Sequence, residues 1–192
     1  MTERRAPVSP QVTARIAGVV YLFFLLTTIL SELFMEQAGS GQRVVAGDAA
    51  STATSILAHE ASFWVGFALG LISFACYVAV TALFYQLFRV VNQSLAFLAV
   101  CFSLIGIALW ACASLFQLAP VLLLKDSSYL SVFDVKQLQA LALLFLHLNH
   151  QAYSIGVGFE GLFWIPTGYL IFRSTFLPRL LGCSLQWLAW GT

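Results

Sequence analysis

Charge is what this sequence has least of. Of its 192 residues only 9% are Asp, Glu, Lys or Arg, where a soluble domain carries about a quarter. There is no basic cluster and the net charge is +1, so no nucleic-acid partner is expected. Cysteine is sparse and scattered. Cys76, Cys101, Cys112 and Cys183 form no C-x-x-C pair, which excludes a redox motif or zinc ribbon of that type. They sit in apolar runs, where a free thiol behaves as a small hydrophobe. No small-residue cleavage site follows the first apolar run, and that run, Ile16 to Met35, is longer than a signal-peptide core. It is read as a retained span.

What is present is hydrophobic surface. The chain is 60% hydrophobic, and four apolar runs each approach or exceed the ~20 residues that cross a bilayer. The predicted fold is all-α, a multi-pass transmembrane helical bundle of four full spans plus a partial fifth. A cytoplasmic tail, residues 1–14, precedes one helical membrane domain, residues 15–192. The spans fall at about 15–35, 62–88, 95–124 and 147–172, with the partial one at 179–192. The lipid bilayer is then the main partner. From Leu180 to the end there are 13 residues, ~20 Å of helix against a ~30 Å core. A truncated or frame-shifted product is the expectation.

Orientation follows from the cations. An inside N-terminus puts Arg4, Arg5, Arg15, Arg89, Arg173 and Arg179 in the cytoplasm and Arg43, Lys125 and Lys136 outside. That asymmetry predicts a multi-pass protein of the cell inner membrane with a cytoplasmic N-terminus.

Local signals refine the elements. Asn92 or Ser94 is placed to cap the third span. Asp134 with Gln137 reads as a capping box, and the helix it opens is expected to run unbroken into the fourth span. The segment from Asp48 to Glu60 reads as a helix leading into the second. Pro120 is expected to bend the third near its outer end.

In hydrocarbon, helices associate through small and polar residues, so these mark the faces that meet. The first span presents Gly18, Tyr21, Thr28 and Glu32. The second presents His59, Ser62, Gly66, Gly70, Ser73, Tyr77 and Thr81, and the third Ser103, Gly106, Trp110, Ser114 and Gln117. The fourth has two stripes, roughly 120° apart at ~100° per residue. One holds His147, His150, Ser154, Gly158, Gly161 and Gly168, the other Asn149, Tyr153, Gly156, Glu160 and Thr167. Leu148, Ile155, Phe159, Leu162, Pro166 and Leu170 remain for lipid. Two stripes predict neighbours on both sides, hence a central helix, and a stripe left bare would serve a second copy or another membrane partner.

Three features bear on chemistry. Gly156 to Gly161 spells G-x-G-x-x-G, but a dinucleotide site needs a preceding strand, and these glycines lie in an apolar helix. His147 and His150 share a helix face and His59 heads the second span's stripe, so the three can be weighed as a metal or haem site. If the second and fourth spans meet along their stripes, His59 is expected near one of the other two. Hydrogen-bonded interfacial histidines are the plainer reading. Glu160 is the sharper case. It lies ~20 Å above the inner edge, where an ionisable side chain is costly and points by default to function. It is expected to be uncharged and bonded to a hydroxyl, indole or carbonyl, with Thr28, Tyr77 and Trp110 at its height. These four, Glu160, Tyr77, Trp110 and Thr28, are the candidate ligand-binding residues.

The blocks GDAASTATSILAHE, LQALALLFLHLNHQAYSIGVGFEGLFWIPTGYLIFRS and FLPRLLG resemble a bacterial integral-membrane family, the domain of unknown function 4386. The resemblance runs from about Arg15 to Gly182. It implies a multi-pass helical fold with further span beyond this chain's end, and no known activity or catalytic residues. Cys183 to Thr192 looks unlike the family's usual continuation. The leading reading is a non-enzymatic membrane protein that binds or moves a small apolar or weakly acidic ligand, with no cofactor. The rivals are a membrane-embedded enzyme or metal protein using His59, His147, His150 and Glu60, and a structural or signalling subunit.

Overall fold

The computed structural model describes residues 10–41, 49–125 and 133–174. Five helices follow one another: α1 (Pro10–Gln37), α2 (Ala49–Ala58), α3 (Glu60–Phe88), α4 (Gln93–Leu124) and α5 (Val135–Arg173). No strand occurs among the described residues. The fold is an all-α transmembrane bundle, and α1, α3, α4 and α5 are long and apolar enough to cross a membrane. The fifth run, residues 179–192, and the loop around Ser128 lie outside the described residues.

Sequence signals account for the helix ends. Proline is tolerated in a first helical turn, where its missing N–H bonds nothing. α1 accordingly starts at Pro10, several residues before the predicted first span. It ends in a Schellman turn. Gly39 has φ of 71°, and the amides of Gly39 and Ser40 donate to the carbonyls of Glu36 and Met35 at 3.0 Å each. Asn92 caps α4, its Oδ1 accepting from the Leu95 amide at 3.0 Å. Asp134 and Gln137 form the reciprocal capping box. α5 is unbroken for 39 residues, ~58 Å, about twice a hydrocarbon core. Part of its length therefore projects beyond the hydrocarbon core.

The segment before the second span departs from expectation. It is helical, but α2 does not continue into α3: His59 takes φ −119° and ψ 35° and breaks the helix. The break lets α2 lie against the outer parts of α4 and α5. There Ile56 is buried with Met35, Ala38, Phe63, Val121 and Leu146. A straight continuation would have carried Ile56 away from that cluster.

α1 packs on α3, α5 packs on α4, and α3 against α4 joins the two pairs. On α1 the buried seam is Ala17, Ser31 and Ala38 with the half-buried Phe24, a heptad spacing, flanked by Tyr21, Thr28 and Met35. Side chains that repeat this way suit a shallow helix crossing. Gly18 sits one residue off the seam, and no atom lies within 4 Å of a Cβ placed there. It faces instead an open apolar groove of about 700 Å³ between α1 and the inner ends of α3 and α5. Away from the seam, Leu26, Ile29 and Leu33 are exposed, as lipid contact requires.

α5 is less central than its two stripes predict. Gly156, Glu160, Thr167 and, near the inner end, Gly168 are buried. His147, His150, Ser154 and Gly158 are exposed, and nothing lies within 4 Å of a Cβ at Gly158 or Gly161. Most of the first stripe is therefore bare. Conversely, Pro166 and Leu170, assigned to lipid, are buried. Leu170 packs with Leu87, Phe88 and Ala96. The tight turn from α3 to α4 brings both helices to this end of α5, and together they cover more of its circumference than α4 does alone.

Candidate functional site

Three seams of small residues bring the spans close enough to form a site. Between α1 and α3, Ser31 Oγ donates to the Gly66 carbonyl at 2.8 Å. A Cβ on Gly66 would stand 3.1 Å from Ser31, Phe34 and Met35 atoms, and one on Gly70 3.2 Å from Ser31 Oγ. The pair Gly66-x-x-x-Gly70 is thus a true seam. Thr28 and Ser73 hydroxyls meet one turn deeper at 2.5 Å. Between α3 and α4, the Thr81 and Ser103 hydroxyls bond at 2.9 Å. Between α4 and α5, a Cβ on Gly106 or Gly156 would lie 3.3 Å from the other glycine's carbonyl oxygen. Asn149 Nδ2 ties the same seam higher up, donating to the Ala113 carbonyl at 2.8 Å.

Glu160 occupies the middle of this frame. It is 8% exposed, and the Tyr77 hydroxyl donates to its Oε1 from α3. Its Oε2 is buried with no hydrogen-bond partner among the described residues, facing the gap left by Gly106 at 3.6 Å from that residue's missing Cβ. Of the four candidate binding residues, the structure joins Glu160 directly to Tyr77. Trp110 stands beside Tyr77 with ring centroids 6.0 Å apart, and its Nε1 donates to the Tyr153 carbonyl at 3.3 Å. Thr28 bonds Ser73 and the Phe24 carbonyl instead.

Aromatic rings link across the bundle at this level. Phe24 and Tyr77 centroids are 4.6 Å apart, and Trp110 stacks on Tyr153 at 5.5 Å. Beside this layer, toward the start of α3 and the end of α4, lies a cleft of about 90 Å³ between all four spans. Thr28, Ser31, Glu32, Ser73, Ser114, Gln117, Asn149 and Tyr153 contribute polar groups to its walls, among Phe24, Phe67, Phe74 and Trp110. Thr28 and Trp110 thus line the cleft, while Glu160 and Tyr77 lie behind its aromatic end. Sequence reasoning placed most of these residues on packing faces without seeing that they converge. Asn149 was legible as a polar group on a packing stripe and Ser31 was not singled out, and only the way the four spans meet turns those faces into a cavity.

The histidines are not gathered. His59 is exposed at the α2–α3 break, its Nδ1 3.1 Å from the Ser55 carbonyl, and His147 and His150 are exposed on α5. Among the described residues no group of three or more His, Cys, Asp or Glu side chains is arranged to hold a metal ion. The condition for bringing His59 to the other two, α3 against α5 along small stripes, is not met. Those helices meet through long side chains, Tyr77 to Glu160 and Phe84 stacked on Phe163 at 6.4 Å, which hold the backbones apart. Glu60 bonds Trp64 and pairs with Lys125 at 2.5 Å at the N-terminal end of α3.

Residues 16–189 match a family model described as a domain of unknown function, DUF4386. The match continues past Gly182, where the resemblance read from the sequence stopped. No curated protein and no solved structure matches the chain. With nearly the whole chain covered, the protein belongs to the DUF4386 family.

Proposed function

We propose that this is a non-enzymatic protein of the bacterial inner membrane, its N-terminus cytoplasmic, that binds a small ligand in the cleft between its spans. The observation that carries the reading is the convergence of polar side chains from four apolar helices on one cavity. Polar groups inside a bilayer are costly unless partnered or used, and small-molecule sites in bundles form between helices. The cleft ends at Trp110 and Tyr153, with Glu160 behind them. Passage of a ligand to Glu160 then requires the rings of Tyr77, Trp110 and Tyr153 to part, so binding is the primary act and movement is gated. The arginine asymmetry supports the orientation. The enzyme reading has less support, since His59 stands exposed at the α2–α3 break and His147 and His150 stand exposed on α5.

Ser114→Cys tests the cleft. In right-side-out vesicles a small, membrane-impermeant trimethylammonioethyl thiosulfonate is expected to modify it faster than the native Cys112, which is exposed on α4. In inverted vesicles it is expected to be protected. A folded Ser114→Cys that resists the reagent from outside, or reacts only from inside, overturns the reading.

A docking subunit is the second reading, and the exposed positions His147, Ser154 and Gly158 on one face of α5 favour it. Ser154→Cys is expected to crosslink two copies under oxidation if that face pairs with itself. A strictly monomeric protein in native membranes would remove this reading.

A further inference from the structure

We infer that the ligand of this cleft is a small organic cation, an alkylated ammonium; the inference rests on the cleft being a binding site. Two independent features of the walls point to positive charge. The first is which charges are present. Glu32 is on the wall, and no lysine, arginine or histidine is among the described residues lining it. Five aromatic residues, Phe24, Phe67, Phe74, Trp110 and Tyr153, stand around it. Aromatic faces attract ammonium groups, more strongly when water is excluded, and rings with a carboxylate are a recurring way to hold a quaternary ammonium.

The second feature is which hydrogen-bonding groups remain free to act. Most of the donors on the walls are already turned onto the protein. Ser31 Oγ donates to the Gly66 carbonyl and Ser114 Oγ to the Ala111 carbonyl. Gln117 Nε2 donates to the Ser40 carbonyl, Asn149 Nδ2 to the Ala113 carbonyl, and Trp110 Nε1 to the Tyr153 carbonyl. Thr28 donates to the Phe24 carbonyl, which leaves Ser73 to donate to Thr28. What the hydroxyls of Thr28, Ser31, Ser73 and Ser114 still offer is oxygen lone pairs, against the Tyr153 hydroxyl and one amide N–H each on Gln117 and Asn149. An acceptor-rich wall with a carboxylate has little to give an anion, whose oxygens need donors. It suits an ammonium, whose methyl groups lie on the rings and whose N–H groups, where present, meet the oxygens. At about 90 Å³, the cleft takes a methylated ammonium and not an amphiphile.

The test uses the full chain in lipid nanodiscs and calorimetric titration with three probes of similar size: tetramethylammonium, its neutral isostere tert-butanol, and acetate. Tetramethylammonium is expected to bind at least about ten-fold tighter than either other probe, and Glu32→Gln to weaken it about ten-fold. Equal binding of tert-butanol to the native protein overturns the cationic class whether or not the variant folds, as does tighter binding of acetate or a folded Glu32→Gln that binds tetramethylammonium as well as the native chain. In those cases the cleft remains a binding site for another ligand. If no probe binds while Ser114→Cys is still modified from outside, the cationic class falls and the accessible cleft stands. If Ser114→Cys is also unreactive, the underlying reading falls with it.

Discussion

Gly156→Leu is expected to abolish the native fold. Even the first carbon of a new side chain at Gly156 would stand 2.5 Å from Trp110 Nε1 and 2.6 Å from its Cδ1, closer than real contacts permit. The indole has nowhere to go. It is 9% exposed, stacked on Tyr153, packed beside Tyr77 and bonded to the Tyr153 carbonyl. Moving it breaks that bond and opens the aromatic layer that closes the cleft. Gly156→Ala alone is expected to cost ~1–3 kcal/mol, the usual range for overpacking. The leucine adds three more carbons at the place where α4 and α5 cross most closely, so the two helices must separate. Gly158→Ala and Gly161→Ala are the controls. Nothing lies near a Cβ at either site, and both are expected to stay within ~0.5 kcal/mol of the native protein. Detergent-titration or thermal unfolding of the four variants checks this. Tolerance of Gly156→Leu, or equal damage at Gly158, would show that α5 meets α4 along another face.

Tyr77→Phe is expected to destabilise by ~1–3 kcal/mol, and the loss is expected to vanish when Glu160 is removed as well. The Tyr77 hydroxyl is the described partner of Glu160 Oε1, and Oε2 already has none. Removing the hydroxyl leaves the whole buried carboxyl unsatisfied, which carries the full desolvation cost of the group. Replacing both partners with apolar groups, as in Tyr77→Phe with Glu160→Leu, removes that cost, so the double variant should be more stable than Tyr77→Phe alone. Glu160→Gln keeps the acceptor and the size, and is expected to fold like the native chain. A double-mutant cycle from unfolding measurements gives the coupling between the two side chains. Additive effects would mean that Tyr77 and Glu160 do not act as a pair. An infrared difference spectrum between the native chain and Glu160→Gln adds the charge state. The expected loss is a protonated-acid band, because no cation among the described residues bonds this carboxyl and a bare charge at that depth is costly. Loss of a carboxylate band would overturn the expectation.

Several features were set by the sequence acting locally. Span lengths depend on how many consecutive apolar residues the bilayer must cover, so the four long helices were readable from composition alone. Asn92 and the Asp134–Gln137 box cap helices through bonds within three residues, and such bonds do not wait for tertiary structure. The face of α3 carrying Gly66, Ser73, Tyr77 and Thr81 was also legible, since small and polar residues in hydrocarbon have few places to go except against another helix.

Tertiary structure decided which helix meets which. A small-residue stripe states that a face can pack closely, not that a neighbour is there. Both stripes of α5 are equally suited to close approach, yet α4 takes the one with Gly156 and leaves the one with Gly158 bare. The break at His59 has no strong local signal, because the gain comes from burying Ile56 among residues of four other helices. Pro166 and Leu170 fell on a face that one-helix geometry assigns to lipid, and the converging ends of α3 and α4 cover it. The cleft is the same kind of outcome. Each of its polar residues was visible on a single helix, but a cavity is the space between helices, and that space is set by how the α1–α3 pair splays from the α4–α5 pair around Tyr77, Trp110 and Glu160.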